Sequence, residues 1–410
     1  MKLLYYLSVI LIINCLPKYL FSQIPGCTDE LATNYNPAAT QNDGTCFYKE
    51  AFVTPYGSEN LPDYLDETSG LIFWNQKIWT HNDDTDTKLY AINGRNVSDI
   101  KSYNLTGTVN KDWEEISHDN KFFYVGDFGN NNNGNRTDLK ILRIDKSSLI
   151  FNNPKIDTIA FTYSLQTNIT PSGSNNTDFD CEAFIVTNDS IYLFTKEWIS
   201  KMTSLYVLPK NPGKYIANFR GKYDAGGLVT GATFNETKKI IVLSAYTNLL
   251  QPFLILLYDF KGNNFFAGNK RKVQVNAPFH QVEGICNEND LIYFISNEKR
   301  SQAGVTIPQK IHRLNLSDLI GKYINSQSTG IPTLSIKSIT VFPNPAETSV
   351  TISVPSEIKG NAYIISDVFG QTVLKGVLKS ENSIIDIKGL TRGFYFITIS
   401  DSIFKKLIVK

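Results

Sequence analysis

Short apolar segments separated by turn-forming residues dominate the chain from residue 51 to residue 318. The segments are rich in Ile, Val, Tyr, Phe and Leu, and Asn, Asp and Gly fill the intervals between them. This pattern is typical of β-strands joined by tight turns. No stretch of the region sustains the spacing of an amphipathic helix. The pattern therefore predicts an all-β domain.

The strands recur as a triplet, and the triplet is found five times. The units begin at Ser69, Glu114, Glu182, Thr230 and Glu283, which are 45, 68, 48 and 53 residues apart. Such intervals fit the four-stranded blades of a β-propeller, with one long loop inserted near residues 167–178. Five blades account for every strand, and six are possible if the longest interval contains two merged units. A β-sandwich competes with this interpretation but would not repeat one triplet five times.

The fifth unit reaches the end of its region, near Leu316, without a fourth strand. An unassigned apolar segment, residues 51–54, precedes the first unit. We expect this segment to complete the fifth blade, as a strand from the other end of the repeat array.

The N-terminal 23 residues have the pattern of a secretory signal peptide. Lys2 precedes an apolar run from Leu3 to Ile13, which is too short to span a bilayer comfortably. Cleavage is expected after Ser22 or Gln23. No later apolar stretch is long enough for a transmembrane helix.

Residues 24–48 contain many turn formers and almost no core. Cys27 and Cys46 bracket this short segment, which favours a disulfide in an exported protein. The segment resembles short Gly-Cys-Thr-Asp modules of secreted bacterial proteins. Four side chains could offer oxygen ligands to Ca²⁺, although their spacing is not that of an EF-hand loop, and a metal-free disulfide knot is the simpler interpretation: Asp29, Asn34, Asn36 and Asp43.

Two further cysteines, Cys181 and Cys286, lie inside apolar strand patterns. A cysteine in such a position is usually a small buried hydrophobe. Four cysteines allow three pairings, and the sequence does not choose between them.

A linker is expected at 319–335, followed by a small domain at 336–410. Alternating short β segments predict an Ig-like β-sandwich there. The domain carries four ordered motifs: Pro343-Asn344-Pro345, Asp367-Xaa-Xaa-Gly370, Leu390-Xaa-Xaa-Gly393-Xaa-Tyr395 and a Lys-rich final strand at 404–410. Together they closely resemble the type A sorting domain of type IX secretion substrates. The resemblance implies export through the periplasm by the type IX machinery, removal of this domain, and release or attachment at the outer surface.

Composition narrows the range of partners. The chain is 42% hydrophobic and has a formal net charge of +1. A nearly neutral balance gives no reason to expect a nucleic acid or an anionic membrane as a partner.

Polar residues cluster where first strands start and second strands end. In a propeller these two positions lie on one face, because the second strand runs antiparallel to the first. The sequence therefore predicts a ligand-binding channel mouth formed by His81, Asp83, Asp112, Glu114, Asp127, Asp180, Glu182, Glu283 and Glu298.

A ring of carboxylates needs a counter-charge, so we expect a cation or a basic ligand at this mouth. Ca²⁺ is the expected ion, with Glu114, Glu182 and Glu283 as its ligands. The alternative is a structural role in which the acids are hydrated or bind backbone N–H groups of the next blade. A Gly- and Asn-rich loop at 127–136 could carry ligand contacts on the same face.

The central region resembles secreted propellers of the phytase-like esterase and lactonase-like families. The resemblance rests on the blade starts Asp112-Trp113-Glu114, Asp180-Cys181-Glu182 and Val282-Glu283-Gly284-Ile285. Ser69 and Thr230 replace the acid in the first and fourth units. This departure puts a full catalytic metal shell in doubt.

Two functions follow from these features. The first is a secreted or surface-attached recognition protein for an unknown extracellular ligand, with Trp79, Trp113 and Trp198 among its binding residues. The alternative is a Ca²⁺-dependent hydrolase of phosphoesters, esters or lactones, with Asp127 or His81 as general base. The chain has no His-Glu-Xaa-Xaa-His and no Gly-Xaa-Ser-Xaa-Gly motif, and this favours the binding protein.

Overall fold

The computed structural model describes residues 23–84, 86–93, 96–302, 304–327, 339–354, 362–368, 370–399 and 403–410. The predicted signal peptide lies outside these residues, apart from Gln23. The chain divides into two compact units, Met1–Ile324 and Asn325–Lys410. The predicted all-β class is confirmed, because strands form nearly all of the regular structure in the described residues.

The N-terminal part of the first unit contains β1 (Pro25–Gly26), β2 (Gln41–Asn42), β3 (Phe52–Val53), β4 (Gly57–Asn60) and a 3-10 turn at Asp63–Leu65. Sheet 1 follows, with β5 (Ile72–Trp74), β6 (Lys77–Thr80), β7 (Lys88–Asn93) and β8 (Asn96–Asn104). Sheet 2 contains β9 (Trp113–His118), β10 (Phe122–Asp127), β11 (Lys140–Asp145) and β12 (Ile156–Tyr163), and the short helix α1 (Lys146–Ile150) follows β11.

Sheet 3 contains β13 (Asp180–Val186), β14 (Ser190–Lys196), β15 (Thr203–Pro209) and β16 (Gly213–Tyr223). Because β16 pairs in parallel with β12, sheets 2 and 3 are the two halves of one eight-stranded sheet. Sheet 4 contains β17 (Leu228–Asn235), β18 (Ile240–Tyr246), β19 (Pro252–Tyr258), a 3-10 turn at Phe265–Ala267, and β20 (Asn269–Val275). The last strands of the unit are β21 (Val282–Asn287), β22 (Ile292–Asn297), the hairpin β23 (Arg300–Gln302) and β24 (Val305–Ile307), and β25 (Lys310–Asn315).

Sheet 5 has the strand order β21-β22-β25-β4, so its outer strand comes from the N-terminal part of the chain. The expectation that residues 51–54 fill this place is wrong. Strand β3 instead pairs in parallel with β20 of sheet 4, and β4 pairs with β25. The sequence pattern missed β4 because all four of its residues are exposed, so this outer strand has no apolar signal.

The first strands of the five sheets contact one another in a closed cycle. Strand β5 contacts β9, and the contacts continue through β13, β17 and β21 back to β5. Side-chain hydroxyls bond across three of these junctions. Thr230 Oγ1 donates to Val282 O at 2.6 Å, Ser296 Oγ donates to Ser69 O at 3.3 Å, and Ser69 Oγ donates to Glu114 O. The first strands therefore surround a common centre.

A β-bulge interrupts the first strand of four sheets. In β9, β13 and β17 the pairing register skips one residue, which is Glu114, Glu182 and Thr230 respectively. In β21 the register skips Glu283 together with Gly284. A bulge changes the direction of a side chain. The residues that begin the repeated units are therefore structurally equivalent in these four sheets.

Glu115, the residue after the bulge in β9, connects two sheets across the centre. Its carboxyl group accepts hydrogen bonds from Ile116 N at 2.9 Å and from Ala232 N of sheet 4 at 2.8 Å. Burial raises its pKa well above the ordinary value. A Cβ at Gly231 would be 2.4 Å from the backbone oxygen of Glu283 and 3.2 Å from Glu115 Oε2. The glycine is therefore required first by the close approach of the Glu283 backbone, and it also leaves room for the Glu115 side chain.

The N-terminal module is held by the predicted Cys27–Cys46 disulfide. It is also bound to sheet 4, because Asp29 Oδ2 accepts hydrogen bonds from Tyr258 at 2.5 Å and from Tyr48 at 2.8 Å. Cys181 and Cys286 are unpaired and buried in different core clusters, as expected for small apolar side chains.

Helix α2 (Ser317–Gln327) occupies the first part of the expected linker, so the linker does not begin at residue 319. Leu319, Ile320 and Ile324 of this helix are buried in the core that contains strands of sheets 4 and 5. Burial of this apolar face stabilises the helix. The sequence pattern predicted a linker here because the apolar periodicity extends over only a few residues.

The second unit consists of β26 (Thr340–Phe342), β27 (Ser349–Ser353), β28 (Ala362–Asp367), β29 (Thr372–Val377), β30 (Asn382–Asp386), β31 (Gly393–Ile399) and β32 (Ile403–Val409). Two antiparallel sheets, β26-β27-β30 and β29-β28-β31-β32, contribute to one hydrophobic core.

The motifs of the second unit have local structural roles. Asn344 Oδ1 accepts a hydrogen bond from Ile408 N at 2.9 Å and ties the Pro-Asn-Pro segment to the last strand. Gly370 has a φ of 79°, which favours glycine in the turn after Asp367. The Tyr395 hydroxyl donates to Thr391 O at 2.7 Å. The motif residues therefore stabilise turns and strand contacts.

Candidate functional site

A cleft of about 450 Å³ opens among the strand ends of the first unit. Its lining comes from all five sheets or their adjoining segments, and its charged residues come from every sheet except sheet 4. The carboxyl groups that line it belong to Asp83, Glu114, Glu182, Glu283 and Glu298, and Lys196 and Arg300 are its basic residues. We call this feature the acidic cleft.

The structure brings together a subset of the predicted mouth residues. The five carboxylates that line the acidic cleft were all predicted. Asp112 and Asp180 lie behind them, close enough to raise the pKa of Glu114 electrostatically. His81 and Asp127 are not part of the cleft lining.

Asp127 and His81 occupy closed environments. The Asp127 carboxylate is fully buried and forms ion pairs with Arg136 at 2.8 Å and Lys140 at 2.6 Å. His81 is also fully buried, with its ring edge-on to Trp113 at 5.8 Å. Burial lowers the pKa of His81 to about 4. Neither group is placed to act as a general base on a molecule in the cleft.

Of the three tryptophans expected to bind a ligand, Trp198 alone lines the acidic cleft. Trp79 and Trp113 are buried in the core between sheets 1 and 2. The apolar pattern around them could not distinguish a core ring from a binding ring.

Lys196, at the end of β14, is the central cation of the cleft. It forms a hydrogen-bonded ion pair with Glu182 and lies 4.0 Å from Glu283. The rings of Trp198 and Tyr246 lie 4.8 and 5.3 Å from its Nζ. Burial opposes its charge, but the two glutamates raise its pKa well above the ordinary value. We expected a bound cation to balance the carboxylates of the cleft. Lys196, a residue of the chain itself, supplies part of that positive charge.

Glu114 differs from its neighbours. Its side chain is only 7% exposed, yet its carboxyl forms no hydrogen bond or ion pair with the described residues. Asp180, by contrast, accepts hydrogen bonds from Asn130 N at 2.6 Å and Trp198 Nε1 at 2.7 Å. Burial and the charges of Glu182, Asp112 and Asp180 raise the pKa of Glu114 well above its usual range.

A second group of acids, centred on Gln281, continues the wall from Glu283. Gln281 Nε2 donates to Glu283 at 2.9 Å and to Glu298 at 2.8 Å, while Arg300 Nη1 donates to Gln281 Oε1 at 2.5 Å. Burial and nearby acids, Glu67 first among them, raise the pKa of Asp83 to about 9. This part of the wall holds protons more tightly than free carboxyl groups do.

The residues match the expected calcium set only in part. Glu114, Asp180 and Glu182 can bring one oxygen each within 4.8 Å of one another, and hard oxygen donors suit Ca²⁺. Glu283, however, is not in this group, and Lys196 already pairs with Glu182. A divalent ion would have to compete with that ammonium group, so the donor set does not fit calcium well.

Two loops complete the rim. Asn131 of the predicted 127–136 loop and Asn175 of the long insertion both line the cleft. Asn175 N donates to Asn131 O at 2.7 Å, and Arg136 Nη1 binds Gly129 O at 2.8 Å. The Asn-rich loop therefore has a fixed conformation at the cleft, in agreement with its expected position.

Tyr246, Gln281 and Arg300 line the cleft but were missed in the sequence. A signal existed for Tyr246, since it ends the second strand of sheet 4 as Lys196 does in sheet 3. Gln281 precedes its strand and Arg300 begins an inserted hairpin, so the repeat could not identify them.

Comparison with known proteins identifies the C-terminal unit. Residues 340–410 match the family model described as a secretion system C-terminal sorting domain. Beta-agarase A of Zobellia galactanivorans is 35% identical to the chain over 68 residues, which are 17% of this chain and 13% of that protein. The chain therefore matches only a small part of this relative's length.

Many solved structures resemble the chain, and the similarity of the following two is weak. One is PorZ, an essential surface component of the type IX secretion system of Porphyromonas gingivalis, with 11% identity, a TM-score of 0.30, and coverage of 84% of this chain and 45% of PorZ. The other is a putative glucose dehydrogenase-type oxidoreductase of Thermus thermophilus, with 8% identity, a TM-score of 0.36, and coverage of 63% and 99%. Neither similarity is strong enough to support a function.

No helix in the part of the chain that the structure describes is long and apolar enough to cross a membrane. The family match and the four motifs agree on the C-terminal unit. Residues 340–410 are therefore a C-terminal sorting domain of the type IX secretion system, which implies that the protein is secreted or attached to the outer surface.

Proposed function

We propose that the chain is an exported binding protein whose acidic cleft holds a cationic group of an extracellular ligand. The first unit is interpreted as a five-bladed propeller, and the second as an Ig-like sandwich. The cyclic contacts of the first strands and the closure of sheet 5 by β4 support the five-bladed interpretation. In this arrangement the cleft is the mouth of the propeller channel.

The state of Glu114 is the observation that carries the proposal. A buried carboxyl without a partner among the described residues is costly, because burial disfavours its charge. Glu114 lines a cleft of ligand size and lies beside Asp180 and Glu182. An ammonium or guanidinium group bound there would pair with it and lower the energy of its charged form.

The charge balance of the cleft supports the same ligand class. Five carboxyl groups line the walls against two basic residues, and one of these bases, Lys196, is already paired with Glu182. A bound cation would oppose the raised pKa values of Glu114 and Asp83 and favour the charged forms of these carboxyl groups. The ligand we expect is therefore basic.

Calorimetric titration of the purified protein with N-acetyl-arginine amide tests this proposal. We expect saturable binding that Glu114→Gln weakens by about tenfold or more, since a charge-assisted hydrogen bond is lost. The matched control is Glu30→Gln, because the Glu30 side chain is 63% exposed and lies outside the cleft. Absence of saturable binding, or equal affinity in Glu114→Gln, would refute the proposal.

A calcium-dependent hydrolase of phosphoesters, esters or lactones is the second candidate. The close approach of Glu114, Asp180 and Glu182 favours it, whereas the enclosed positions of Asp127 and His81 do not. The test is a screen of these three substrate classes with and without a chelator. Chelator-sensitive turnover that is lost in Glu182→Gln would favour the hydrolase over a protein that only binds.

A further inference from the structure

An apolar groove lies next to the acidic cleft. Its volume is about 450 Å³, and its apolar lining comes from Leu249, Leu250, Phe279, Val305 and Ile307. These residues belong to the turn after β18, the segment before β21 and strand β24. Large apolar side chains that are gathered on a surface in this way commonly mark a binding site.

The groove side chains are unusually open to solvent. Leu249 is 82% exposed, Phe279 is 64% exposed and Val305 is 63% exposed. A single exposed apolar residue needs no explanation, but three around one groove do. These three side chains expose apolar surface that a bound ligand would bury.

The backbone that carries these side chains is held in an uncommon conformation. Leu250 has a φ of 56° and Phe279 has a φ of 68°, a region that bulky residues rarely adopt. Phe279 N donates to Leu250 O at 2.8 Å, and Leu250 N donates to Thr247 O at 2.8 Å. Backbone strain that is maintained by hydrogen bonds is often found at binding sites.

The groove and the acidic cleft form one continuous surface. Asn248, Leu250 and Arg300 line both of them. Arg300 is bound to Gln281, which also binds Glu283 and Glu298. The Arg300 guanidinium at the junction is therefore linked through a neutral amide to two glutamates, and a ligand can extend past it from the acidic wall to the apolar one.

We propose that this combined surface binds a polypeptide segment that carries a basic residue and, a few positions away, a large apolar residue. The proposal rests on the proposed function, since the basic residue occupies the acidic cleft. Charge complementarity selects the basic side chain, and the groove selects the apolar one. The amide side chains of Asn131, Asn175 and Asn248 line the cleft and match the donors and acceptors of a peptide backbone.

Calorimetric titration with short synthetic peptides tests the inference. The probes are acetyl-Arg-Phe amides with one, two or three glycines between the two residues. In the matched peptides, Gly replaces Phe or Gln replaces Arg. We expect at least one Arg–Phe peptide to bind roughly tenfold to hundredfold more tightly than its Arg–Gly counterpart, the gain expected from burying one aromatic side chain.

Two variants remove the groove without disturbing the core. Leu249→Ser changes an exposed side chain, and Phe279→Gly places a residue that accepts a positive φ. We expect each to reduce the gain from Phe while leaving Arg–Gly binding unchanged. Phe151→Ser is the control, because Phe151 is 71% exposed and follows α1, outside the groove.

The possible results separate this inference from the proposed function. If Arg–Gly peptides bind through Glu114 but Phe adds nothing, or its gain survives both groove variants, this inference is wrong and the proposed function stands. If no Arg-containing peptide binds, both are wrong. Tighter binding of hexylammonium than of every Arg–Phe peptide would also overturn the polypeptide assignment.

Discussion

Lys196 and Glu182 form an ion pair in which each side chain is only 3% exposed. The carboxylate of Glu283 also lies 4.0 Å from the ammonium group. A buried pair is costly to form, but removing one partner is more costly, because the other charge is left uncompensated. The protein therefore carries its own cation at the centre of the acidic cleft.

Lys196→Met should destabilise the first unit by about 3–5 kcal/mol, because it leaves Glu182 without its partner. Adding Glu182→Gln should recover part of the loss. Urea unfolding measures both effects. Lys322→Met is the control, since Lys322 is 67% exposed, and it should change stability by no more than about 0.5 kcal/mol. An equally small effect of Lys196→Met would mean that the pair does not compensate charge in the fold.

Glu114 and Glu115 are adjacent but should respond oppositely to neutralisation. The two carboxylate oxygens of Glu115 accept hydrogen bonds from Ile116 N and Ala232 N. Glu115→Gln replaces one of these oxygens with an NH₂ group, which cannot accept, and the N–H group left without a partner costs about 1–3 kcal/mol of stability. Glu114→Gln removes a repelled charge without breaking a hydrogen bond among the described residues, so it should preserve or increase stability. Urea unfolding compares the two variants. Equal destabilisation by both would contradict these roles.

The stability of the first unit should fall as the pH rises from about 4 towards about 9. The pKa of Asp83 is raised from 3.8 to about 9, mainly by burial. The folded state therefore retains a proton that the unfolded chain releases. This contribution is fully present below pH 3.8 and is lost as the pH rises through the folded pKa.

Asp83→Asn should flatten that dependence, since an amide mimics the protonated carboxyl. Urea unfolding at several pH values across the window measures the slope. Asp157→Asn is the control, because the Asp157 side chain is 51% exposed. A slope as steep in Asp83→Asn as in the unchanged protein would show that Asp83 is not the responsible group.

Loss of the Cys27–Cys46 disulfide should release the N-terminal module. The two cysteines are separated by 19 residues, and closing a loop of this size contributes about 3 kcal/mol. Replacing both with serine should increase hydrogen exchange in residues 24–48, with little change in sheet 1. Tyr258→Phe, which removes one hydrogen bond to Asp29, should have a smaller effect of about 1 kcal/mol. Unchanged exchange in the serine variant would indicate that docking alone holds the module.

Deletion of residues 340–410 should prevent export across the outer membrane. The matched sorting domain lies within these residues, so a chain without it should accumulate in the periplasm. Immunoblotting of periplasmic, surface and medium fractions measures the distribution. Surface or medium levels equal to those of the full chain would contradict the role of the domain.

Several features of the protein could be predicted from the sequence because they depend on local or repeated patterns. Alternating apolar segments predict strands wherever they occur, and the equivalence of Glu114 and Glu182 follows from the strand triplet that each of them begins. The closeness of Cys27 and Cys46 along the chain favours their pairing, which the structure contains. The sorting motifs stabilise turns and strand contacts within one small unit, so they remain recognisable as short strings.

Tertiary structure decided which of the polar residues form a site. His81 and Asp127 stand at the same kind of position as Glu298, yet the first two are enclosed and Glu298 lines the cleft. Burial depends on segments that approach from other sheets, and a pattern within one strand does not contain that information. The same holds for Lys196, which lies between acids from sheets 3 and 5, and for β4, which closes sheet 5 without an apolar residue. Local periodicity determined the strands, whereas the long-range packing of charged groups determined the cleft.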